Sequence, residues 1–303
     1  MIVIQHTLAY LPKKLKMVTV KTISEIFNLR IVGDKTLLIK SVSSIHAQNI
    51  NSISWIKSKK FLDLAKEGAF VVNSKEIQPK EDVTYLMTEQ SPKLIFSKIY
   101  ETFFLKHEKL DFTNFVSAHR ENKNIKIGDN VFIGENVNIG DKSLISSNTV
   151  INSNTIIGEN CDIKENVSIG CEGLGLEYDS LTKSYIKFPQ IGRTIIGDDV
   201  FIGPNTVIRK GALDNTIIEK GSKIGSLVNI GHNCHIGYNC ILTSGITMAG
   251  SVKMKNNVFV GINSSFKNGI SIGESAYICM GSVVVNDVLQ NSKVLGVPAK
   301  PII

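Results

Sequence analysis

The chain has 303 residues, enough for one large hydrophobic core or two domains, and 34 Lys and Arg against 27 Asp and Glu give it a formal charge of +7. That excess suits an anionic partner such as a nucleotide phosphate, coenzyme A, an acidic carrier protein or an anionic membrane surface. The basic residues are scattered without interleaved aromatics, which argues against a nucleic-acid partner. Five cysteines in no disulfide-like spacing point to a reducing, cytoplasmic compartment, and no apolar run reaches the ~20 residues of a transmembrane segment.

In chain order, residues 1–105 read as a small N-terminal α/β domain. Its first residues place a short apolar run before Lys13, Lys14 and Lys16, the reverse of a secretory signal, and Met17 offers an alternative start. Thr22-Ile-Ser-Glu25 has the form of a capping box opening a helix to Leu29. Leu37–Val42, Ser52–Ile56 and Ala69–Val72 read as strands and Phe61–Lys66 as a short helix. Ser91–Phe104 is amphipathic and helical, with Leu94, Ile95, Ile99 and Phe103 on one face. Residues 106–124 are polar and serve as a linker.

From Ile127 the hydrophobic period becomes six. Ile127, Ile133, Ile139, Ile145, Ile151, Ile157, Ile163 and Ile169 hold one phase, and Val131, Val137, Thr149, Thr155, Cys161 and Val167 fill the slot four later. Six fits neither a helix nor strand alternation. It fits a parallel β-helix, one hexad per face and three faces per coil, with Ile stacked inside and glycines relieving strain at the corners. The fold class is therefore mainly β over 125–288, roughly seven to eight coils and about 35 Å tall at one strand spacing per coil. Residues 171–195 break the phase as an excursion of the kind that carries function. The period resumes at Ile196, slips at Lys210-Gly-Ala-Leu213 and then runs unbroken from Ile218 to Val284, leaving 289–303 as a tail.

The only histidines of the repeat region are His232 and His235, followed one coil later by the glycine-bearing turn Met248-Ala-Gly-Ser251. A general base beside a backbone donor is what acyl transfer to an amine requires. His232 stands two after an inward Ile and so faces outward; an imidazole side chain ordinarily titrates near pH ~6.5 and is basic at neutral pH. His235 also faces out and reads as an ordinary surface residue. His232-Asn-Cys234-His235 lacks a second ligand pair at finger-like spacing, so no metal is called for, and Cys161, Cys234 and Cys240 read as core filler.

These residues resemble the hexapeptide-repeat acyltransferases, and nearly the whole chain is similar to the UDP-3-O-acylglucosamine N-acyltransferase (LpxD) family of lipid A synthesis. The similarity rests on Gly173-Leu-Gly-Leu176, Phe188-Pro-Gln-Ile-Gly192, Ile196-Gly-Asp-Asp199, Lys210-Gly-Ala-Leu213, Ile230-Gly-His-Asn233 and Met248-Ala-Gly-Ser251, together with the N-terminal domain. It implies a left-handed helix, a homotrimer with sites between subunits, and transfer of an acyl group to the amine of a nucleotide-linked amino sugar. Carried onto this sequence, the general base falls on His232, the oxyanion donor on the backbone N–H of Gly250, and Asn233 orients the imidazole. The run that stacks a uracil in the family reads Trp55-Ile-Lys-Ser-Lys-Lys-Phe61 here. Trp55 and Phe61 keep their aromatic character and imply pyrimidine-nucleotide binding; Ser58 replaces the base-reading Asn, and Lys57, Lys59 and Lys60 are placed to meet a diphosphate or to form a solvated run.

Four departures bear on the substrate. A second family histidine falls near Asn268-Gly269, Leu174 and Leu176 stand where phenylalanines are usual, and Arg209-Lys210 replaces an Asp-Arg pair. The family's C-terminal helical extension is missing, and Gly281–Pro301 instead resembles the ending of coenzyme A-dependent sugar acetyltransferases. The co-substrate is accordingly acyl-coenzyme A or an acyl carrier protein, with no tightly bound cofactor. The activity is acylation of an amino sugar for lipopolysaccharide or surface glycan, or the lipid A step itself. A third alternative is a non-catalytic or carbonic-anhydrase-like β-helix.

Overall fold

The computed structural model describes residues 17–105 and 124–302. The opening lysine-rich segment before Met17 and nearly all of the linker lie outside the described residues. The chain divides into two compact units. One takes the N-terminal region and residues 174–189; the other takes the rest, through the C-terminus.

The second unit is a parallel β-helix. Its strands stack into three sheets of seven, ten and eight strands, and all pairings are parallel except a final antiparallel return. Within each sheet the inward Ile residues are in register, Ile133 beside Ile151 and Ile151 beside Ile169. Ile133 through Ile169 are buried almost completely, as are Ile196 through Val284 at the same phase. Each such side chain contributes roughly 1.5–3 kcal/mol of apolar transfer free energy, repeated coil after coil. The slot four later is closed by Val131, Thr149, Thr155, Cys161 and Val167, also buried. The threonines there bond backbone carbonyls, Thr149 to Lys164 and Thr155 to Asn152, so their hydroxyls are satisfied.

The corners correct one expectation. Most of the left-handed residues of the early turns are asparagines: Asn130, Asn136, Asn148, Asn154, Asn160 and Asn166 have φ between 55° and 63°, and Lys142 joins them at 62°. Asparagine tolerates this region better than other side-chain-bearing residues. Of the glycines that follow an Ile, Gly170 is itself left-handed at φ 77°, as expected, whereas Gly128, Gly134, Gly140 and Gly158 are not and serve the stacking instead. A Cβ on Gly134 would stand 2.5 Å from the Ser153 nitrogen, and one on Gly140 would stand 2.5 Å from the Gly158 carbonyl carbon. They let one coil lie on the next. Residues of the expected tail are in the sheet too: Lys293–Gly296 pairs with Tyr277–Ile278, and Ala299–Ile302 folds back against it.

The first unit is a five-stranded sheet in the order Arg30–Val32, Thr84–Thr88, Ala69–Asn73, Ser52–Trp55, Ser41–Val42, parallel except for the Arg30–Val32 edge. The interior strand Thr84–Thr88 and the edge strand Arg30–Val32 went unread in the sequence. The first helix is Val20–Phe27, capped by Thr19, whose hydroxyl accepts the Thr22 N–H; the expected capping box at Thr22 sits one turn too late. Phe61–Lys66 is a 3₁₀ turn over Lys59–Leu64, and the amphipathic stretch is an α-helix, Pro92–Ile99, that ends in a π turn.

The excursion is a β-hairpin, Leu176–Asp179 paired with Ser184–Lys187, and it belongs to this unit. One face carries carboxylates inward: Glu177 meets Lys93 at 2.5 Å and the buried Asp179 meets Lys98 at 2.8 Å. Asp179 also accepts the Leu181 N–H and the Thr182 hydroxyl, both at 3.0 Å. The Lys98 hydrogen bond foremost, with these two, holds the Asp179 carboxyl below its ordinary range. Past the hairpin, buried Phe188 sets its ring 6.3 Å from Trp55 and 5.9 Å from Phe96, with the Lys93 ammonium 4.5 Å from its centroid.

Candidate active site

Gly231-His232-Asn233 is the turn between strands Asn229–Ile230 and His235–Ile236. Asn233 makes the corner in the left-handed region, at φ 59°, and its N–H donates to the buried Thr216 hydroxyl at 2.8 Å. Its side-chain Oδ1 accepts the Ala212 N–H at 3.0 Å and lies 2.8 Å from His232 Nδ1. A backbone N–H can only donate, so the atom it meets is the amide oxygen. That oxygen can only accept, so His232 Nδ1 carries the proton and Nε2 presents the lone pair. The tautomer of this imidazole is set by one amide.

Ala212 explains the phase slip. The extra residues of Lys210-Gly-Ala-Leu213 bring its N–H to Asn233, while its carbonyl takes the Ile191 N–H at 2.7 Å and the Gly192 N–H at 3.0 Å. Ala212 and Thr216 are therefore site residues that sequence reasoning missed. The slip itself was the available signal.

One coil on, Gly250 faces the imidazole. A Cβ placed there would lie 2.5 Å from both Cε1 and Nε2 of His232, so the glycine exists to let the ring approach. Ser251 N–H donates to the His232 carbonyl at 2.7 Å, tying the two turns together. The Gly250 N–H donates to no acceptor among the described residues. Behind it, the thiol of buried Cys234 donates to the Ala249 carbonyl at 3.3 Å, and burial pushes that thiol up to about 11, so it stays protonated. On the other side of the ring, a Cβ on Gly173 would come 3.3 Å from His232 Cδ2; the Gly173 N–H is held by the buried Gln190 side chain at 3.3 Å.

The remaining candidates lie elsewhere. His235 Nε2 is 3.0 Å from Glu219, on a strand of the adjoining face and outside the His232–Gly250 pair. Trp55 ends the strand Ser52–Trp55 and faces Phe188, while Phe61 packs partly against the cluster of Ile56, Leu62 and Phe70, with Lys60 over its ring at 5.0 Å. Ser58 precedes the 3₁₀ turn and its carbonyl takes the Phe61 N–H at 3.0 Å; Lys57, Lys59 and Lys60 are exposed around it. No group of three His, Cys, Asp or Glu is gathered among the described residues, and no helix there is long and apolar enough to cross a membrane.

Stacked hexads with a histidine and a glycine on one edge define a class, the left-handed β-helix built of transferase hexapeptide repeats. Residues 136–171 match the bacterial transferase hexapeptide (six repeats) family, and residues 193–226, 227–248 and 256–285 match the hexapeptide repeat of succinyl-transferase. More particular relatives are named UDP-3-O-acylglucosamine N-acyltransferase. That of Methylorubrum extorquens (strain PA1) is 40% identical over 134 residues, which are 44% of this chain and 38% of that protein. That of Dechloromonas aromatica (strain RCB) is 51% identical over 83 residues, 27% of this chain and 23% of that protein. The matched part thus spans well under half the length of these curated relatives. Among solved structures, the Francisella novicida UDP-N-acetylglucosamine acyltransferase aligns with a TM-score of 0.53 and 26% identity, over 59% of this chain and 66% of that one.

Proposed function

We propose that this chain transfers an acyl group from a thioester to the amine of a nucleotide-linked amino sugar. The observation that carries the reading is a histidine with its lone pair on Nε2, packed against a glycine whose N–H meets no acceptor among the described residues. The amine nitrogen attacks the thioester carbonyl carbon and gives its proton to His232 Nε2. The tetrahedral oxyanion accepts the Gly250 N–H, the C–S bond breaks, and the imidazolium returns the proton to the departing thiolate. Asn233 holds the tautomer throughout.

Acceptor recognition falls to the first unit. Trp55 and Phe61 supply ring faces for a pyrimidine, Ser58 a polar edge, and the exposed lysines a diphosphate contact. The donor is acyl-coenzyme A or an acyl carrier protein, which the net charge of +7 suits. The working form is a cytoplasmic homotrimer. Lipid A synthesis itself, with a long 3-hydroxyacyl chain and an O-acylated UDP-glucosamine, is favoured by the names of the relatives; a short acyl group on a surface-glycan amino sugar is the other version.

Donors and acceptors decide between them. Acetyl- and hydroxybutyryl-coenzyme A and 3-hydroxyacyl carrier proteins are offered with UDP- and thymidine-linked amino sugars, and products are weighed by mass spectrometry. Replacing His232 by Ala lowers turnover by about 10²–10⁴ with folding intact. Near-normal turnover in that variant removes His232 as the base.

A further inference from the structure

We infer that Asn268 is a positioning residue for the Gly250 amide; this rests on the acyl-transfer reading above. Gly250 lies between two peptide groups, and three of their four polar atoms are occupied. The Ala249 carbonyl takes the Cys234 thiol at 3.3 Å, and the Ser251 N–H donates to the His232 carbonyl at 2.7 Å. The Gly250 carbonyl accepts twice, from the Asn268 side-chain amide at 2.5 Å and from the Gly269 N–H at 3.0 Å. What is left over is the Gly250 N–H.

Glycine has no side chain to confine its backbone angles, so a glycine that must aim its N–H depends on outside contacts. Three of those four contacts come from elements any coil would supply: backbone groups and an inward side chain. The fourth comes from Asn268, a corner residue one coil beyond Gly250, whose carboxamide reaches back to the carbonyl. Nothing in the stacking demands it, since the Gly269 N–H already satisfies that oxygen. Its added contact fixes the rotation of the Gly250–Ser251 peptide and, through the glycine, the direction of the free N–H. A donor misaimed by an ångström forfeits much of its effect on an oxyanion, because the gain lies in having no reorganisation at the moment of reaction.

The test separates aim from structure. Asn268→Ala removes the donor, and Asn268→Asp keeps the shape while setting a carboxylate against the carbonyl. Turnover should fall about 10-fold in the first and further in the second, with KM for both substrates within about two-fold and the pH dependence of kcat unchanged. Asn268→Asp at wild-type kcat, or a rise in KM at unchanged kcat, overturns the assignment. The contact is also readable without turnover, by amide hydrogen exchange in the full-length protein. Faster exchange at Ser251 and Gly269 in Asn268→Ala supports the pin, and unchanged exchange overturns it. If the wild-type protein transfers no acyl group from any donor, it is the acyl-transfer reading that fails, and the exchange result still stands or falls by itself.

Discussion

Gly250 and Gly269 are glycines for opposite reasons. At Gly250 the obstacle is space, since a Cβ would meet the imidazole at 2.5 Å; at Gly269 there is nothing within 4 Å, but φ is +74°. Gly250→Ala therefore displaces the His232 ring or the residue 250 N–H and, on the proposed acyl-transfer reading, should cut turnover by about 10²–10³ with a small change in melting temperature. Gly269→Ala should instead cost about 1–2 kcal/mol of stability and leave turnover within about three-fold. Steady-state rates and thermal unfolding on both variants check the contrast. That His232 and Gly250 meet was legible because they stand one coil apart in the repeat, whereas the roles proposed for them and for Asn233 come from the family resemblance. Ala212 and Thr216 were not legible, because their bonds to Asn233 depend on how far the slip at Lys210–Leu213 carries the chain, and spacing alone does not say where a slipped segment lands.

Among elements, the hairpin shows most plainly what patterning can hide. Its strands alternate, but the buried face is the charged one, with Glu177 and Asp179 inward against Lys93 and Lys98 and with Leu176, Tyr178 and Tyr185 exposed. Alternation announces a strand and leaves the choice of inner face to whatever the strand meets. The solenoid hexads were legible for the complementary reason, because inward apolar residues stack on one another, as Ile151 does between Ile133 and Ile169, and only one face can close. The glycines were legible only in part, because corner strain, met at Gly170, and coil-to-coil approach, met at Gly134 and Gly140, ask for the same residue. Trp55 is the chain's single tryptophan and touches Phe188, so its fluorescence reports on this hairpin. The Asp179 carboxyl is held below its ordinary value of ~3.8, so its contribution to stability is complete above that value and is lost as pH falls through the lower folded value. Acid titration of the wild type should release Trp55 below about pH 4. Asn at position 179 should flatten that transition and cost about 1–3 kcal/mol at neutral pH, measured by denaturant unfolding followed at Trp55.

At the scale of the whole molecule, the two units are built on different contact orders. In the β-helix each residue meets its neighbours one coil away, eighteen residues along in the regular turns, so stability accumulates locally. The first unit is closed only when residues 174–189 arrive from far along the chain. That hairpin offers one buried aromatic ring, worth roughly 1.5–3 kcal/mol, and two ion pairs of about 1 kcal/mol each. Free association would cost at least ~4 kcal/mol in lost translational and rotational freedom, which offsets nearly all of this, so as a separate peptide it should not bind measurably at millimolar concentration. Held at both ends in one chain, it is spared most of that cost and stays docked. A fragment of residues 1–125 should therefore show red-shifted Trp55 emission and bind a hydrophobic dye through the uncovered ring of Phe96. A peptide of residues 174–189 added in trans should reverse neither at concentrations up to about millimolar. A fragment with the blue-shifted emission of the full chain would mean that the hairpin contributes nothing to closing the first unit, and its inward carboxylates would then need another explanation.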